Sequence, residues 1–279
     1  MAKSIKPRIV YYQDPLRDDF ANNNIQTINI EEDPKFRYIH KNIFWRWGSF
    51  LVYYGFAIPL LLIYLSFFHH VRVVNKKARK FIRKNAVFLY GNHSHFSDAF
   101  MPNIKICLPR RASIIANPDA VSIKGLKNFV QMLGAIPLAN TVGGTKKFLE
   151  ALEVRHQEGR VILIYPEAHI WPYYTDIRPF ADTSFYYPVK FNVPVVAFVT
   201  TYRKRRFDQK NTRKPKAFVT ISTPFYPDMN LSRKEAQQKL RDEVYTWMKG
   251  IAQQKNNYAY IQYIQKGSTD LIGTQFPGQ

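Results

Sequence analysis

The stretch AVFLYGNHSHFSD, residues 86–98, begins as an apolar run and ends in a cluster of polar side chains. A short, uninterrupted apolar run is typical of a strand that is covered on both faces of a parallel sheet. In open α/β sheets, ligands bind at the carboxyl ends of such strands. The polar cluster therefore marks the predicted functional edge of an α/β domain.

The segments that follow alternate between two kinds. Five more runs have the composition of strands: residues 112–117, 135–140, 160–166, 193–202 and 216–223. Helices are predicted for residues 122–133, for 145–158 with Gly159 as its C-cap, and from Ser232 to about 254, where Ser232 and Glu235 fit a capping box. Alternation of strands and helices predicts an α/β fold with a mostly parallel sheet flanked by helices. The predicted parts are a leader and membrane-anchoring segment at 1–84, a catalytic domain at 85–255 and a tail at 256–279.

Composition limits the possible functions. The 279 residues are 46% hydrophobic, which is enough to form a substantial core. Cys107 is the only cysteine, so the chain has neither an intramolecular disulfide nor a cysteine-based zinc site. The net charge of +21 predicts an anionic partner, and it is concentrated in residues 70–84 and 203–216.

An uncharged apolar segment, residues 47–68, precedes the first of these basic stretches. As a helix it would be roughly 33 Å long, enough to cross a bilayer core. Gly55 and Pro59 allow an alternative, a bent helical hairpin that enters only one leaflet. The basic residues on its C-terminal side predict a membrane protein whose catalytic domain faces the cytoplasm.

The polar cluster contains a histidine and a carboxylate five positions apart, His93 and Asp98. In one continuous helix these side chains would point in different directions. With His93 at the strand end and Asp98 in the first turn of the following helix, the carboxylate reaches the imidazole, fixes its tautomer and raises its basicity. Such a pair deprotonates a hydroxyl that the substrate supplies. Ser94 and Ser97 are not predicted to be nucleophiles, because they lack the glycine-flanked elbow of a serine nucleophile. Glu167 follows the strand predicted at 160–166 and places a carboxylate at a second strand end.

Four blocks together resemble the glycerolipid acyltransferases related to 1-acyl-sn-glycerol-3-phosphate (lysophosphatidate) acyltransferase. The family block N-H-x4-D reads NHSHFSD at residues 92–98. The other blocks resemble GAIPLAN at 134–140, YPEAHI at 165–170 in place of F-P-E-G-T-R, and VPVVAFV at 193–199. The apolar segment resembles the family's membrane anchor.

The resemblance implies a glycerol-phosphate acyltransferase-like fold with His93 as general base and Asp98 as its orienting carboxylate. The acyl donor would be acyl-CoA or acyl-carrier protein. The acceptor would be the free hydroxyl of a lysophospholipid, in the first place 1-acylglycerol 3-phosphate, which gives phosphatidate. Membrane phospholipids are further expected partners. Neither a cofactor nor a metal is implied, and no nucleic acid is an expected partner.

The family's two phosphate-binding arginines are replaced in this sequence. Asn140 stands at one position, and the Gly-Thr-Arg after the glutamate is Ala168, His169 and Ile170. Candidate substrate-binding residues are therefore Glu167, Ala168, His169, Asn140 and Arg178, and Lys146, Lys190 and Arg203 are further candidate phosphate ligands.

Two other functions are compatible with parts of the sequence. A metal-dependent hydrolase could use His93, His95 and Asp98 as ligands, although the spacing departs from the usual H-x-H-x-D-H run. A basic nucleic-acid binder would use the clustered cations, but it leaves the apolar segment and the His93–Asp98 pair without a role.

Overall fold

The computed structural model describes residues 8–20, 36–122, 125–208 and 213–267. The strands are β1 (Ile9–Tyr12), β2 (Arg72–Val73), β3 (Phe88–Gly91), β4 (Ala112–Ala116), β5 (Ala135–Pro137), β6 (Val161–Ile164), β7 (Val195–Arg203), β8 (Lys216–Phe225) and β9 (Gln262–Gln265). The α-helices are α1 (Ile43–Phe50), α2 (Ile58–Tyr64), α3 (Arg79–Lys84), α4 (Asp119–Ser122), α5 (Lys127–Leu133), α6 (Val142–Gln157), α7 (Tyr186–Phe191) and α8 (Arg233–Ala252).

A seven-stranded sheet organises the protein, with the strand order β2-β8-β7-β3-β6-β4-β5. All neighbours are parallel except β7 and β8, which pair antiparallel. The predicted mostly parallel α/β fold is therefore confirmed. Because β2 joins this sheet, the sheet begins before residue 85, where the predicted domain starts.

Side chains of the central strands alternate between two cores. In β3, Leu89 contributes to one core, whereas Phe88 and Tyr90 contribute to the other. The first core lies under α2 and α3, and the second lies under α6, α7 and α8. Both faces of the sheet are thus covered, which is why its strands read as continuous apolar runs.

The predicted membrane segment forms one helix, Ile43–Phe67, which is long and apolar enough to cross a membrane. It contains α1, α2 and wider π-helical turns; Gly55 lies in one of these turns, and Pro59 lies in the first turn of α2. The hairpin alternative is therefore absent from these described residues. One side of the helix packs on the domain through buried Tyr53, Ile58 and Leu65. The other side of the helix exposes large apolar side chains.

The described parts of the leader and the tail pair with each other. β1 and β9 form a parallel two-stranded sheet, and the Trp171 indole donates a hydrogen bond to the Asp18 carbonyl. These segments thus cover a buried tryptophan, a role that the sequence did not indicate. Parts of four predicted segments lie outside the described residues: the leader at 1–7 and 21–35, the helix at 123–124, the second basic stretch at 209–212 and the tail at 268–279.

Two of the three predicted helices, α6 and α8, lie close to their predicted positions, whereas the helix predicted over residues 122–133 is wrong in extent, because α4 ends at Ser122 and α5 begins at Lys127. The capping box of α8 is present, because the Ser232 hydroxyl accepts from the Glu235 amide while the Glu235 carboxylate accepts from the Ser232 amide. Thr141 caps α6, and Gly159 follows its end with a left-handed φ of 71°. This helix fixes the position at which β6 begins, and β6 leads to Glu167.

Candidate active site

The site begins where β3 ends, at a buried asparagine. The Asn92 side-chain oxygen accepts from the Thr200 amide at 2.7 Å, and its nitrogen donates to the Thr200 carbonyl at 3.1 Å. Asn92 therefore continues the pairing of β3 with β7 through its side chain. This clamp leaves the next residue, His93, projecting beyond the sheet edge.

His93 and Asp98 meet as predicted. The imidazole Nδ1 lies 3.0 Å from Asp98 Oδ2. The same carboxylate oxygen accepts from the main-chain amides of Ser94 and His95, each at 2.9 Å. Asp98 is buried with 1% of its surface exposed, whereas the His93 side chain is 22% exposed. The amides hold the carboxylate in place, and Nε2 is left as the nitrogen that can take a proton from a substrate.

The turn that supplies Asp98 differs slightly from the prediction. Asp98 lies in a turn closed by its own amide, which donates to the His95 carbonyl at 2.9 Å. A short helix at residues 101–107, which is π-helical over Asn103–Cys107, begins only after this turn. The tight turn brings two main-chain amides onto the carboxylate, which a first helical turn would not do.

Tyr165 fixes the plane of the His93 ring. Its ring stacks on His93 with centroids 4.5 Å apart and planes 20° from parallel. Its hydroxyl donates to the Asp98 carbonyl at 2.7 Å. Burial raises the pKa of the Tyr165 hydroxyl, so it stays protonated and remains a donor. Tyr165 thus touches both members of the pair.

Glu167 lies at the end of β6, next to His93, because β3 and β6 are parallel neighbours. One carboxylate oxygen accepts from the His93 amide at 3.3 Å. The same oxygen lies 3.3 Å from the Arg178 guanidinium, and both side chains are buried. Burial raises the pKa of the Glu167 carboxyl, and the positive charge of Arg178 opposes that shift. The pair braces the main chain at His93.

Arg178, a predicted substrate-binding residue, is fully enclosed. Its guanidinium donates to the carbonyls of His169 and Pro15 and lies over the Trp171 ring. The side chain has no exposed surface. In this arrangement it supports Glu167 and does not present its charge to a ligand.

The other predicted substrate-binding residues are spread along the same edge. Ala168 has a positive φ of 63°, at the position where the family block has glycine. The His169 ring is part-exposed, with Nδ1 3.5 Å from Asp19 Oδ2. Asn140 is exposed after β5, which lies three strands from β3 in the sheet. Their role in binding stays a prediction.

The sequence did not assign roles to Tyr165, Asn92 or Lys214. Tyr165 stands immediately before Pro166 and Glu167 in the YPEAHI block. Its position beside the strand end that carries Glu167 was the one sequence feature that could have indicated a role at the site. Lys214 lies between β7 and β8, and its ammonium is 5.8 Å from the ring of the exposed Phe96. Because β7 runs parallel to β3, the turn after β7 places part of the second basic stretch beside the His93 edge.

The contacts of His95 and the serines differ from those of a metal site or a serine nucleophile. His95 is buried, and its Nδ1 lies 2.6 Å from Ser97 Oγ. Ser94 Oγ lies 2.9 Å from the Tyr202 hydroxyl. Within the described ranges, no group of three or more His, Cys, Asp or Glu side chains is arranged to hold a metal ion.

Comparison with known proteins identifies the domain around this site. Residues 70–201 match the protein-family model described as Acyltransferase. These residues belong to the acyltransferase family. The matched residues include His93, Asp98 and Glu167, and the match confirms the resemblance predicted from the sequence blocks.

A solved structure is also similar to this chain. It is the crystal structure of the 1-acyl-sn-glycerophosphate (LPA) acyltransferase, PlsC, from Thermotoga maritima, with 17% identity and a TM-score of 0.49 over 76% of this chain and 88% of that chain. No curated protein matches the chain.

Proposed function

We propose that the acyltransferase moves a fatty acyl group from an acyl thioester to the free hydroxyl of a lysophospholipid, with 1-acylglycerol 3-phosphate as acceptor and phosphatidate as product. One observation carries the proposal: the 3.0 Å contact between His93 Nδ1 and the buried Asp98 carboxylate at the carboxyl edge of the sheet. This pair supplies a base without a nucleophile of its own. The substrate must therefore supply the nucleophile, which in this proposal is the acceptor hydroxyl.

The proposed reaction is a single displacement through a tetrahedral intermediate. His93 Nε2 takes the proton of the acceptor hydroxyl as its oxygen bonds to the thioester carbonyl carbon. The carbon–sulfur bond then breaks, and the imidazolium returns the proton to the departing thiolate. Asp98 stabilises the imidazolium that forms in between, and the stacked Tyr165 ring keeps Nε2 directed outward.

Cations near the site are candidate ligands for the phosphates of both substrates. Arg203 ends β7 and is exposed, and Lys214 lies beside Phe96 at the same edge. In the proposal these residues replace the family's missing arginines, because Arg178 is enclosed with Glu167. The donor is acyl-CoA or acyl-carrier protein, both of which carry a phosphate near the thioester arm.

The apolar helix supports membrane attachment in one leaflet. It contacts the domain from its first turns to its last: Ser49 Oγ donates to the Met132 carbonyl, Tyr54 donates to the Pro109 carbonyl, and Tyr64 packs on Phe100. A helix that crossed the bilayer would pull this attached surface into hydrocarbon. We propose that the helix lies in the interface with its exposed apolar side chains among the lipids, on the cytoplasmic face.

The basic residues 203–206 are proposed to hold this edge against anionic headgroups, with about 1 kcal/mol for each cation near the surface. Charge reversal across 203–206 should then weaken the binding of the protein to anionic liposomes. Unchanged binding would remove this role from the proposal. Tighter binding to RNA than to liposomes would favour the nucleic-acid alternative.

The decisive test is an assay of purified protein with a labelled acyl thioester and a panel of lysophospholipids, with products identified by mass. His93→Ala should lower kcat/KM by roughly 10²–10⁴-fold, while His156→Ala, the same change in the distant helix α6, should leave it near wild type. Full activity of His93→Ala would refute the mechanism. Loss of activity with a chelator and its recovery with zinc would favour the hydrolase.

A further inference from the structure

A cavity of about 810 Å³ lies at the opposite edge of the sheet from His93. Its wall includes Arg111 just before β4, Ala135 at the start of β5 and Arg160 just before β6. Because β4, β5 and β6 all run parallel to β3, their amino ends face away from the catalytic edge. The cavity is therefore separate from the proposed acyl-transfer site.

The wall of this cavity is strongly cationic. It contains one carboxylate, Glu158, and five arginines: Arg46, Arg110, Arg111, Arg155 and Arg160. Glu158 Oε2 lies 3.0 Å from Arg155 Nη1 and 2.7 Å from Arg160 Nε. Glu158 thus pairs with two arginines, and the other arginines of the wall have no carboxylate partner among its described residues.

Two half-buried arginines of the cavity, Arg111 and Arg160, are incompletely compensated. Arg111 donates to the Ser49 hydroxyl at 2.8 Å and to the Met132 carbonyl, but its buried Nε has no hydrogen-bond partner among the described residues. Burial, together with the charges of Arg111 and Arg155, lowers the pKa of the Arg160 guanidinium to about 9. Arg160 remains protonated at neutral pH, and a bound anion would stabilise that charged form.

The apolar helix forms the other wall. Trp47 and Phe50 line the cavity and are also 62% and 51% exposed. They continue into the exposed apolar side chains Leu51 and Phe56 further along the helix. A phosphate group among the arginines would therefore stand next to a surface suited to acyl chains, and aromatic side chains at this junction are typical of the membrane interface.

We propose that this cavity binds the phosphate headgroup of an anionic membrane phospholipid whose acyl chains follow the exposed face of the apolar helix. The lipid is a bound ligand and not a reactant, because it lies at the edge away from His93. It links the first turns of the helix to the arginines of the domain. Inorganic phosphate would contact the same arginines but not the apolar wall. A higher affinity for the phospholipid than for inorganic phosphate therefore distinguishes the two ligands.

Binding is measured with a short-chain phosphatidylglycerol below its micelle concentration, with short-chain phosphatidylcholine and with inorganic phosphate, following the fluorescence of the cavity residues Trp45 and Trp47. The double substitution of Arg46→Gln and Arg160→Gln should raise the Kd for phosphatidylglycerol about 20-fold, and Arg46→Gln alone about fivefold. Arg233→Gln, at the start of α8, is the matched control and should not change the Kd. Arg46 is exposed, so Arg46→Gln is expected to fold. If the double variant does not fold, the Kd of this single variant tests the proposal.

Phosphatidylglycerol should bind at least about tenfold more tightly than inorganic phosphate, because only the lipid contacts the apolar wall. Equal binding of phosphate or of phosphatidylcholine would overturn the proposal, as would an unchanged Kd in Arg46→Gln. His93→Ala should bind phosphatidylglycerol like wild type, so a failure of the catalytic proposal and a failure of this one give different results.

Discussion

Replacing Asp98 with asparagine removes a charge while keeping the shape of the side chain. Two main-chain amides and the His93 ring all donate to Oδ2, so the asparagine carbonyl oxygen should occupy that position. Its NH₂ group then takes the place of Oδ1, a buried atom with no partner among the described residues. The imidazole should keep its orientation, and the main loss is electrostatic.

The size of that loss follows from the short distance. With Nδ1 and Oδ2 at 3.0 Å, the charge centres of the imidazolium and the carboxylate are about 4 Å apart, which gives about 4 kcal/mol at an effective dielectric constant near 20. Because the imidazolium forms only as the reaction proceeds, the loss should appear in kcat, at about 10³-fold. KM should change little.

The assay measures thiol release from the acyl thioester at saturating lysophospholipid. Asp228→Asn is the matched control, because Asp228 also forms an ion pair, with Lys239, but lies between β8 and α8. A folded Asp98→Asn variant with wild-type kcat would refute the role of the carboxylate. So would a loss confined to KM.

Three further predictions concern stability. Glu167→Gln leaves its buried arginine partner without a counter-charge and should lower the free energy of unfolding by about 3 kcal/mol, whereas Glu158→Gln, in a more exposed pair, should cost no more than about 1 kcal/mol. Gly91→Ala should destabilise by about 1–3 kcal/mol, because a Cβ at Gly91 would overlap the Phe198 ring. Burial lowers the pKa of His95 in the folded protein below its usual value of 6.5. Below pH 6.5 the unfolded chain therefore binds more protons at His95 than the folded protein does, so the contribution of neutral His95 to stability should be complete above pH 6.5 and should be lost on acidification. The variant His95→Gln should reduce this loss.

Thermal or denaturant unfolding of the purified variants checks all three. Equal losses in the free energy of unfolding for Glu167→Gln and Glu158→Gln would contradict the argument that the more buried ion pair costs more to break. An unchanged unfolding midpoint in Gly91→Ala would mean that the aromatic ring moves aside at no cost. A wild-type pH profile in the His95 variant would assign the acid sensitivity to other groups.

Much of the sheet was predictable because its strands are buried on both sides. Six predicted strands, including β3 and β6, are present, since covered strands appear as apolar runs in the sequence. The antiparallel direction of β8 and the pairing of β1 with β9 were not predictable. Ile9 pairs with Gln262 across almost the whole chain, and the local sequence carries no signal for such a contact.

At the candidate site too, features with a local sequence signal were predictable, and features that depend on tertiary contacts were not. His93, Asp98 and Glu167 were found because their residue types follow strand ends, and strand ends of a parallel sheet meet at one edge. Arg178 was predicted to bind substrate but lies enclosed against Glu167, because only the tertiary structure decides whether a cation faces solvent. Tyr165 was missed for the same reason, since stacking on His93 depends on the pairing of β6 with β3.

The attachment of the apolar helix along the domain has a consequence for lipid traffic. Its early residue Ser49 bonds near the amino ends of the strands, while Tyr64 packs on Phe100, two residues beyond Asp98. The helix and the His93 imidazole are consequently parts of one packed unit. If the proposed function and the in-plane membrane attachment hold, the helix sets the height of Nε2 above the acyl chains, and an acceptor would have to offer its hydroxyl at that height and on that side. Each new phospholipid would then be deposited in the monolayer that supplied the acceptor, and its passage to the opposite monolayer would require a separate flipping step.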